Sequence, residues 1–470
     1  MTEPINTTLE QYFRTPEGTF QFDVDRSVST AEPCFFHFGN DSQLYGKLSA
    51  GDLVQEPPES YALPSIAPEK VNRSLPFDPE EAAGNLRSER YPLEGSKSGF
   101  KQKIVRLTYY TLRPLLPVGV RKYAQRRALR GWESLSFPAW PVERSVDRMF
   151  EQLFMIALKQ RPGESIPFIW FWPEGKAGCA LMTHDVETAA GLHACDALMS
   201  INEEFGIRSS FQLIPGGRYE VTPEIIASIR KRGFEVNIHD WNHDGYLFQE
   251  RGRFLERAEK INHKAEEWQT IGFRSAALYR NVEWLRDLRF QYDMSIPSCA
   301  RLDPQRGGCC TLMPWLNGNL LELPVTTIQD YSLFHILNQY NIDIWKRQTS
   351  EILRHHGVAS YIVHPDYIQT PEAYRTYRNL LSYLNEMRET QDAWIALPQQ
   401  VNQWWRERSQ MRLEQTDGRW RITGQGRERA VIAYARLENN NIIYTLGTQE
   451  KSTSQQDLQP SFESRGELHA

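Results

Sequence analysis

The strongest constraint on the fold is an alternation that runs through the middle of the chain. Short apolar segments recur at 178–185 (GCALMTHD), 209–215 (SSFQLIP), 234–239 (FEVNIH), 272–277 (GFRSAA), 292–298 (YDMSIPS), 320–326 (LLELPVT), 359–365 (ASYIVHP) and 393–397 (AWIAL). Helix-compatible stretches separate most of them. Two of these open on the same Thr-Pro-Glu signal, at Thr222 and Thr370, where a threonine N-cap precedes proline at the first helical position. Gly233 closes the first. Such alternation specifies a parallel sheet with helices outside it. Seven or eight units favour a closed or nearly closed barrel over an open doubly wound sheet, and no GxGxxG turn follows the first strand. The expected fold class is α/β: an irregular (β/α)7-8 barrel with small β-containing appendages at both ends.

The chain has 470 residues, of which 40% are hydrophobic and 24% charged, enough to bury a sizeable core. A net charge of -5 argues against a nucleic-acid partner. The six cysteines (Cys34, Cys179, Cys195, Cys299, Cys309 and Cys310) follow neither a disulfide framework nor paired CxxC spacing. The opening MTEPINTTLEQYFRT has no charged and apolar leader pattern. The expected location is therefore the reducing cytoplasm. The sequence carries no signal of oligomeric state.

Five regions are expected. Residues 1–95 are mixed and partly extended, with FQFDVD and CFFHFGN as short strands and a Pro-rich, acidic connection over 53–85. Residues 96–174 form a basic, helix-rich connection ending in an aromatic loop and an amphipathic helix. The barrel occupies 175–410. Residues 411–447 form two hairpins, turning at Asp417-Gly418 and at Asn439–Asn441. Residues 448–470 are a polar, disordered tail. Within the second region, ten basic residues lie between Lys97 and Arg130 with no Asp or Glu among them. That stretch suits a solvated basic face with a core-facing stripe. The alternative is a surface that rests on anionic membrane, at the inner face, or holds an anionic substrate.

Functional side chains of barrel folds sit at the C-terminal ends of strands. The first strand ends with Asp185 and Glu187, two apart and on one face of an extended backbone. Carboxylates at such junctions also serve as helix caps. The third ends with His239 and His243, four apart, which a helical turn would place on one face as metal pairs require. The fourth carries Arg274 in an apolar context that demands a partner, with Asp293 of the fifth strand as one choice. The seventh ends with His364, a residue type that also occurs hydrogen-bonded in cores. Together these groups converge on one barrel mouth. Two imidazoles and a carboxylate suit Zn²⁺ or a similar divalent ion, leaving a second carboxylate and an imidazole as base and acid.

The motifs resemble those of the NodB-type polysaccharide deacetylases, carbohydrate esterase family four. Thr183-His184-Asp185-Val186-Glu187 is similar to the family's Thr-Phe-Asp-Asp turn, with Val186 in place of the second Asp and Glu187 as in an Asp-x-Asp form. His239 and His243 match the His-x-x-x-His motif in full. Arg274 matches the Arg-x-Pro loop, with Ala276 in the proline position. Asp293 is the match to the fourth motif, and Ile362-Val363-His364 matches Leu-x-His. The resemblance covers about 175–400. It implies that Glu187, His239 and His243 hold the metal, most suitably zinc, with cobalt or manganese also fitting. It implies Asp185 as general base, His364 as general acid, and Arg274 as the group that orients Asp185. The implied reaction removes an acetyl group from an N- or O-acetylated sugar or polysaccharide precursor, so the implied partner is an acetylated carbohydrate.

Two other readings stand beside this one. A hydrolase of linear, non-peptide amide C–N bonds would use the same barrel, and a substrate panel separates the two. A non-catalytic carbohydrate-binding relative would need no base–acid pair, which Asp185, Glu187, His239, His243 and His364 together supply.

Overall fold

The computed structural model describes residues 5–25, 32–40, 42–49, 54–55, 63–93 and 118–447. Residues 97–117 of the basic stretch, and the tail at 448–470, lie outside the described residues. The chain divides into two units. One is Met1–Asn85, Ser145–Lys176 and Gln403–Ala470; the other is Leu86–Arg144 and Ala177–Asn402.

In the second unit, helix α1 (Val118–Ala128) comes first. The alternating elements follow as β1 (Gly178–Val186), α2 (Ala189–Glu204), β2 (Ser210–Leu213), α3 (Pro223–Lys231), β3 (Glu235–His239), α4 (Arg251–Trp268), β4 (Gly272–Arg274), β5 (Tyr292–Asp293), β6 (Trp315–Asn317), β7 (Leu320–Glu322), α5 (Asp343–Arg354), β8 (Val358–Ile362), α6 (Pro371–Thr390) and β9 (Ala393–Ala396). The sheet runs β6-β7-β5-β4-β3-β2-β1-β8, and β9 also pairs with β1. All its ladders are parallel except β6–β7. Eight of these strands fall in the apolar segments read from the sequence. The ninth, β6, is a three-residue hairpin partner whose turn at Asn317-Gly318-Asn319 has too little alternation to be seen.

Strand β1 organises the sheet. It is nine residues long and buried throughout. Along one edge it pairs with β8; along the other it pairs first with β9 and then, from Thr183, with β2. The sheet curls until β8 faces the segment after β7. No backbone ladder crosses that gap among the described residues. Threonines cross it instead. Thr326 Oγ1 donates to Val358 O (2.5 Å) and accepts from Ser360 N (2.9 Å), and Thr327 Oγ1 donates to Ser360 O (2.7 Å). One backbone bond, Val358 N to Leu312 O, adds to them.

The helices are capped much as the sequence suggests. The Thr370 hydroxyl accepts from Ala373 N at the start of α6. Thr222 precedes Pro223 in extended conformation, but its side chain makes no cap bond to the α3 backbone. Gly233, at φ +80, ends the turn after α3. No helix of the described residues is long and apolar enough to cross a membrane.

Among the described residues, the other unit is built from small sheets, the helices Ile5–Phe13, Pro79–Arg87 and Ser145–Lys159, and most of the helix Pro398–Gln410. Helix Ile5–Phe13 buries Ile5, Leu9 and Phe13, one face at i, i+4 and i+8. A helix at Pro79–Arg87 lies in the stretch read as an extended connection. Asp78 Oδ1 accepts from Glu80 N at its start, and two acids sit in its first turn. Strands Arg412–Thr416 and Arg419–Thr423 form a hairpin through Asp417 and Gly418, both at positive φ. Ile432–Glu438 and Asn441–Leu446 form another through Asn439 and Asn440, also at positive φ. The buried Arg408 guanidinium donates to the carbonyls of Tyr12, Phe13, Ile169 and Trp170, so one cation satisfies carbonyls from two separate segments.

Candidate metal centre

The site grows from the C-terminal ends of β1, β3, β4 and β8. The pleat of β1 sends Thr183 and Asp185 to one side and His184 to the other. His184 Nδ1 donates to Val363 O (2.9 Å), and its Nε2 meets Asn202 Nδ2 (3.2 Å). Burial pulls its pKa down to about 4, so it is a neutral ring behind the site, tying β1 to the residue before His364.

On the other side, Arg274 Nη1 donates to Thr183 Oγ1 (2.7 Å) and Asp185 Oδ1 (2.9 Å), while its Nε donates to Met294 O (3.0 Å). Arg274 thus pairs with Asp185 rather than Asp293. Asp293 lies opposite Glu322 across the β5–β7 ladder and accepts from Ser295 N and Oγ, which uses it elsewhere. Burial pushes the Asp185 carboxyl up, but Arg274 and His239 outweigh it and hold it below its ordinary value.

His239 is the last residue of β3, and the chain beyond it does not continue as a helix. Asp240 and His243 both take positive φ, and the segment between them is a tight loop. Asp240 holds that loop: its N donates to Arg274 O (2.8 Å), and its carboxylate accepts from Trp241 N and Ala276 N. The two imidazoles still meet, with ring centroids 4.8 Å apart. The expected helical pairing is therefore replaced by a strand end plus a left-handed loop.

Glu187, His239 and His243 place one donor atom each within 4.8 Å of one another. Glu187 Oε1 lies 2.8 Å from His243 Nε2 and 3.5 Å from His364 Nε2. His239 Nε2 and both ring nitrogens of His243 are buried without an aligned hydrogen-bond partner, the 2.8 Å approach to Glu187 included. His239 Nδ1 lies 3.2 Å from Arg274 O, which makes it the protonated nitrogen and turns the Nε2 lone pair inward. Burial pulls the His239 pKa down to about 4. Burial pushes Glu187 up, yet His243 and His364 hold it well below its ordinary value. The His239 ring with its Nε2 lone pair turned inward, His243 beside it and the ionised Glu187 are the donor set of a divalent ion held at about 2 Å. The residues present fit such an ion.

Asp330, Arg218 and Tyr219 have no counterpart in the sequence reading, whereas Tyr367 is one of the strand-end aromatics that suit either sugar stacking or packing in the barrel rim. Asp330 binds the His364 ring at Nδ1 (2.6 Å). Burial opposes charge on His364, but Asp330 and Glu187 raise its pKa well above the ordinary value. Tyr367 lies over the same ring, 4.6 Å between centroids. Arg218 joins the two ligand loops from outside: it donates to the carbonyls of Glu187 (3.2 Å), Asn242 (3.3 Å) and His243 (2.8 Å). Its neighbour Tyr219 donates its hydroxyl to Val186 O (2.5 Å). No spacing signals Asp330, Arg218 or Tyr219. Asp330 follows β7 by eight residues, at the first residue of a short helical turn, and Arg218 lies in the β2–α3 loop.

No family model matches the chain, and no curated protein matches it. Solved structures of polysaccharide deacetylases match about half of it at low identity. One, from Mycobacterium smegmatis and named as a polysaccharide deacetylase, is 19% identical, covering 53% of this chain and 96% of that one at a TM-score of 0.42. An allantoinase is 13% identical, covering 50% and 92% at a TM-score of 0.39. A mutant of a family-four carbohydrate esterase pseudoenzyme, with restored enzymatic activity, is 14% identical, covering 49% and 68% at a TM-score of 0.33. At these scores the likenesses bear on neither substrate nor mechanism.

Proposed function

We propose that the protein is a metal-dependent hydrolase that removes an acetyl group from an N- or O-acetylated sugar or polysaccharide precursor. The observation that carries this reading is the set of inward, unpartnered imidazole nitrogens beside Glu187, flanked on either side by a carboxylate and a charged imidazole. Glu187, His239 and His243 would hold the ion. When bound, a divalent ion polarises the acetyl carbonyl and lowers the pKa of water toward neutrality.

Asp185 then takes the proton of the attacking water. Arg274 keeps that carboxylate ionised and fixes its Oδ1, leaving Oδ2 directed toward His239 at 3.8 Å. His364 carries the opposite task. Its Nδ1 is held by Asp330, so Nε2 is the atom that delivers a proton to the departing amine or alcohol. Attack on the carbon and protonation of the leaving atom are thereby assigned to opposite flanks of one donor set. A zinc ion suits this donor set, as do cobalt and manganese.

The test is elemental analysis of the purified protein beside His239→Ala/His243→Ala, followed by an acetate-release screen over acetylated sugars. About one equivalent of a divalent metal, absent from the double variant, supports the reading. A parent that takes up no divalent metal on incubation overturns it. A metal-loaded parent that hydrolyses linear amides but no acetylated sugar transfers the site to that other substrate class.

A further inference from the structure

Helix α1 belongs to the acid-free basic stretch, and nothing at the metal centre uses its outer face. Its inner side is engaged. Arg126 Nε and Nη2 donate to His335 O (3.0 and 2.9 Å), Gln125 bonds the Tyr331 hydroxyl, and Leu129 packs on the barrel core. The outer side is not. Val120, Tyr123, Arg127 and Arg130 recur at i, i+3, i+7 and i+10, a single stripe along the helix and the turn that continues it. All four are exposed, Val120 at 48% and Tyr123 at 66%. No carboxylate of the described residues pairs with Arg127 or Arg130. The next acid along the chain is Glu133, in the following turn.

We propose that this stripe docks the protein on an anionic lipid surface. The chemistry of its two halves selects that occupant. Arg127 and Arg130, which pair with no carboxylate of the described residues, meet lipid phosphates, while tyrosine and valine one and two turns away sit at the headgroup and acyl boundary. A nucleic acid would use the arginines and leave Val120 in water. A second copy of the chain would have to bring acids that this face lacks.

The stripe is one loop away from the candidate site. Helix α1 rests on the segment Tyr331–Ile336, which begins beside Asp330. The rings of Tyr331 and His335 lie 5.8 and 4.9 Å from that of Tyr367, which covers His364. A docked surface therefore lies on the strand-end side of the sheet, where His364 is reached.

The experiment is co-sedimentation of the full chain with phosphatidylcholine vesicles, with and without about a third of phosphatidylglycerol. The parent is expected to pellet with the anionic vesicles, to ignore the neutral ones, and to be released by salt. Arg127→Ser/Arg130→Ser and, separately, Val120→Asp/Tyr123→Asp are each expected to bind about tenfold more weakly or worse, with near-ultraviolet circular dichroism unchanged. A parent indifferent to lipid charge overturns the proposal, as does either variant pelleting like the parent. So does self-association lost in Val120→Asp/Tyr123→Asp, or RNA binding by a parent that ignores vesicles. None of these readouts involves metal or acetyl release, so docking and the proposed hydrolysis stand or fall separately.

Discussion

Asp330 holds His364 at two points: Oδ1 lies 2.6 Å from the ring Nδ1, and Oδ2 accepts the His364 backbone N–H at 2.7 Å. Both residues are buried, so ring rotation is set by one carboxylate. Asp330 and Glu187 raise the imidazole pKa against burial, which keeps it protonated at neutral pH. Asp330→Asn removes the raising charge. The alkaline limb of the pH–rate profile is expected to move to lower pH, with kcat down by about 10²-fold. A limb that stays in place would remove His364 from the role of acid.

Arg218 links the Glu187 and His243 loops through three carbonyls and touches none of the donor atoms itself. Arg218→Met should leave the fold intact and weaken metal binding by about 10- to 100-fold, as loss of outer support does at other metal sites. Titration calorimetry with Zn²⁺ reads this directly. Unchanged affinity would show that the loops hold their own positions.

Glu235 gives a pH signature away from the metal donors. Burial raises its pKa from 4.5 to about 7, against hydrogen bonds from Asn237 and Gln399. The folded state thus binds this proton more tightly than the unfolded chain. The associated stability is complete below the ordinary carboxyl value and is lost as pH rises through 7, on the order of 3 kcal/mol. Urea midpoints from pH 5 to 8 should fall more steeply for the parent than for Glu235→Gln. Parallel profiles would contradict this.

Thr326 bridges strand β8 with its hydroxyl alone. Thr326→Val strands a buried amide at Ser360 and a buried carbonyl at Val358, at a cost of about 1–3 kcal/mol. Thr326→Ser keeps both bonds and should lose less. Denaturant unfolding compares the three proteins, and amide exchange at Ser360 should quicken only in the valine variant.

The eight parallel-sheet strands were legible because each is an apolar run between turn residues, and the period of such a run survives any tertiary context. The strand-end groups Asp185, Glu187, His239, His243, Arg274 and His364 were legible for the same reason, since strand ends are located once strands are. Arg218 belongs to a loop and Asp330 to a short helical turn, where no sheet period operates and where only the curl of the sheet brings them near. Spacing also misjudged the path between His239 and His243. Two residues at positive φ bend the chain where a four-residue interval suggested a helix. The partner of Arg274 was open between two acids. Asp293 is claimed by Ser295, which leaves Asp185.

The threonine seam gives the pocket wall one yielding side. Asp185, Glu187, His239 and His243 ride on β1 and β3, joined through β2 by continuous ladders that fix strand spacing at about 4.8 Å. His364 rides on β8, whose far edge is held by hydroxyls and by Asp330 at its upper end. Side-chain links tolerate small changes in separation that a ladder does not. Donor geometry and His364 are thus anchored together on the laddered side, β8 being paired along β1 from Val358 to Ile362, while space for leaving groups of differing bulk opens at the seam between β8 and the segment after β7.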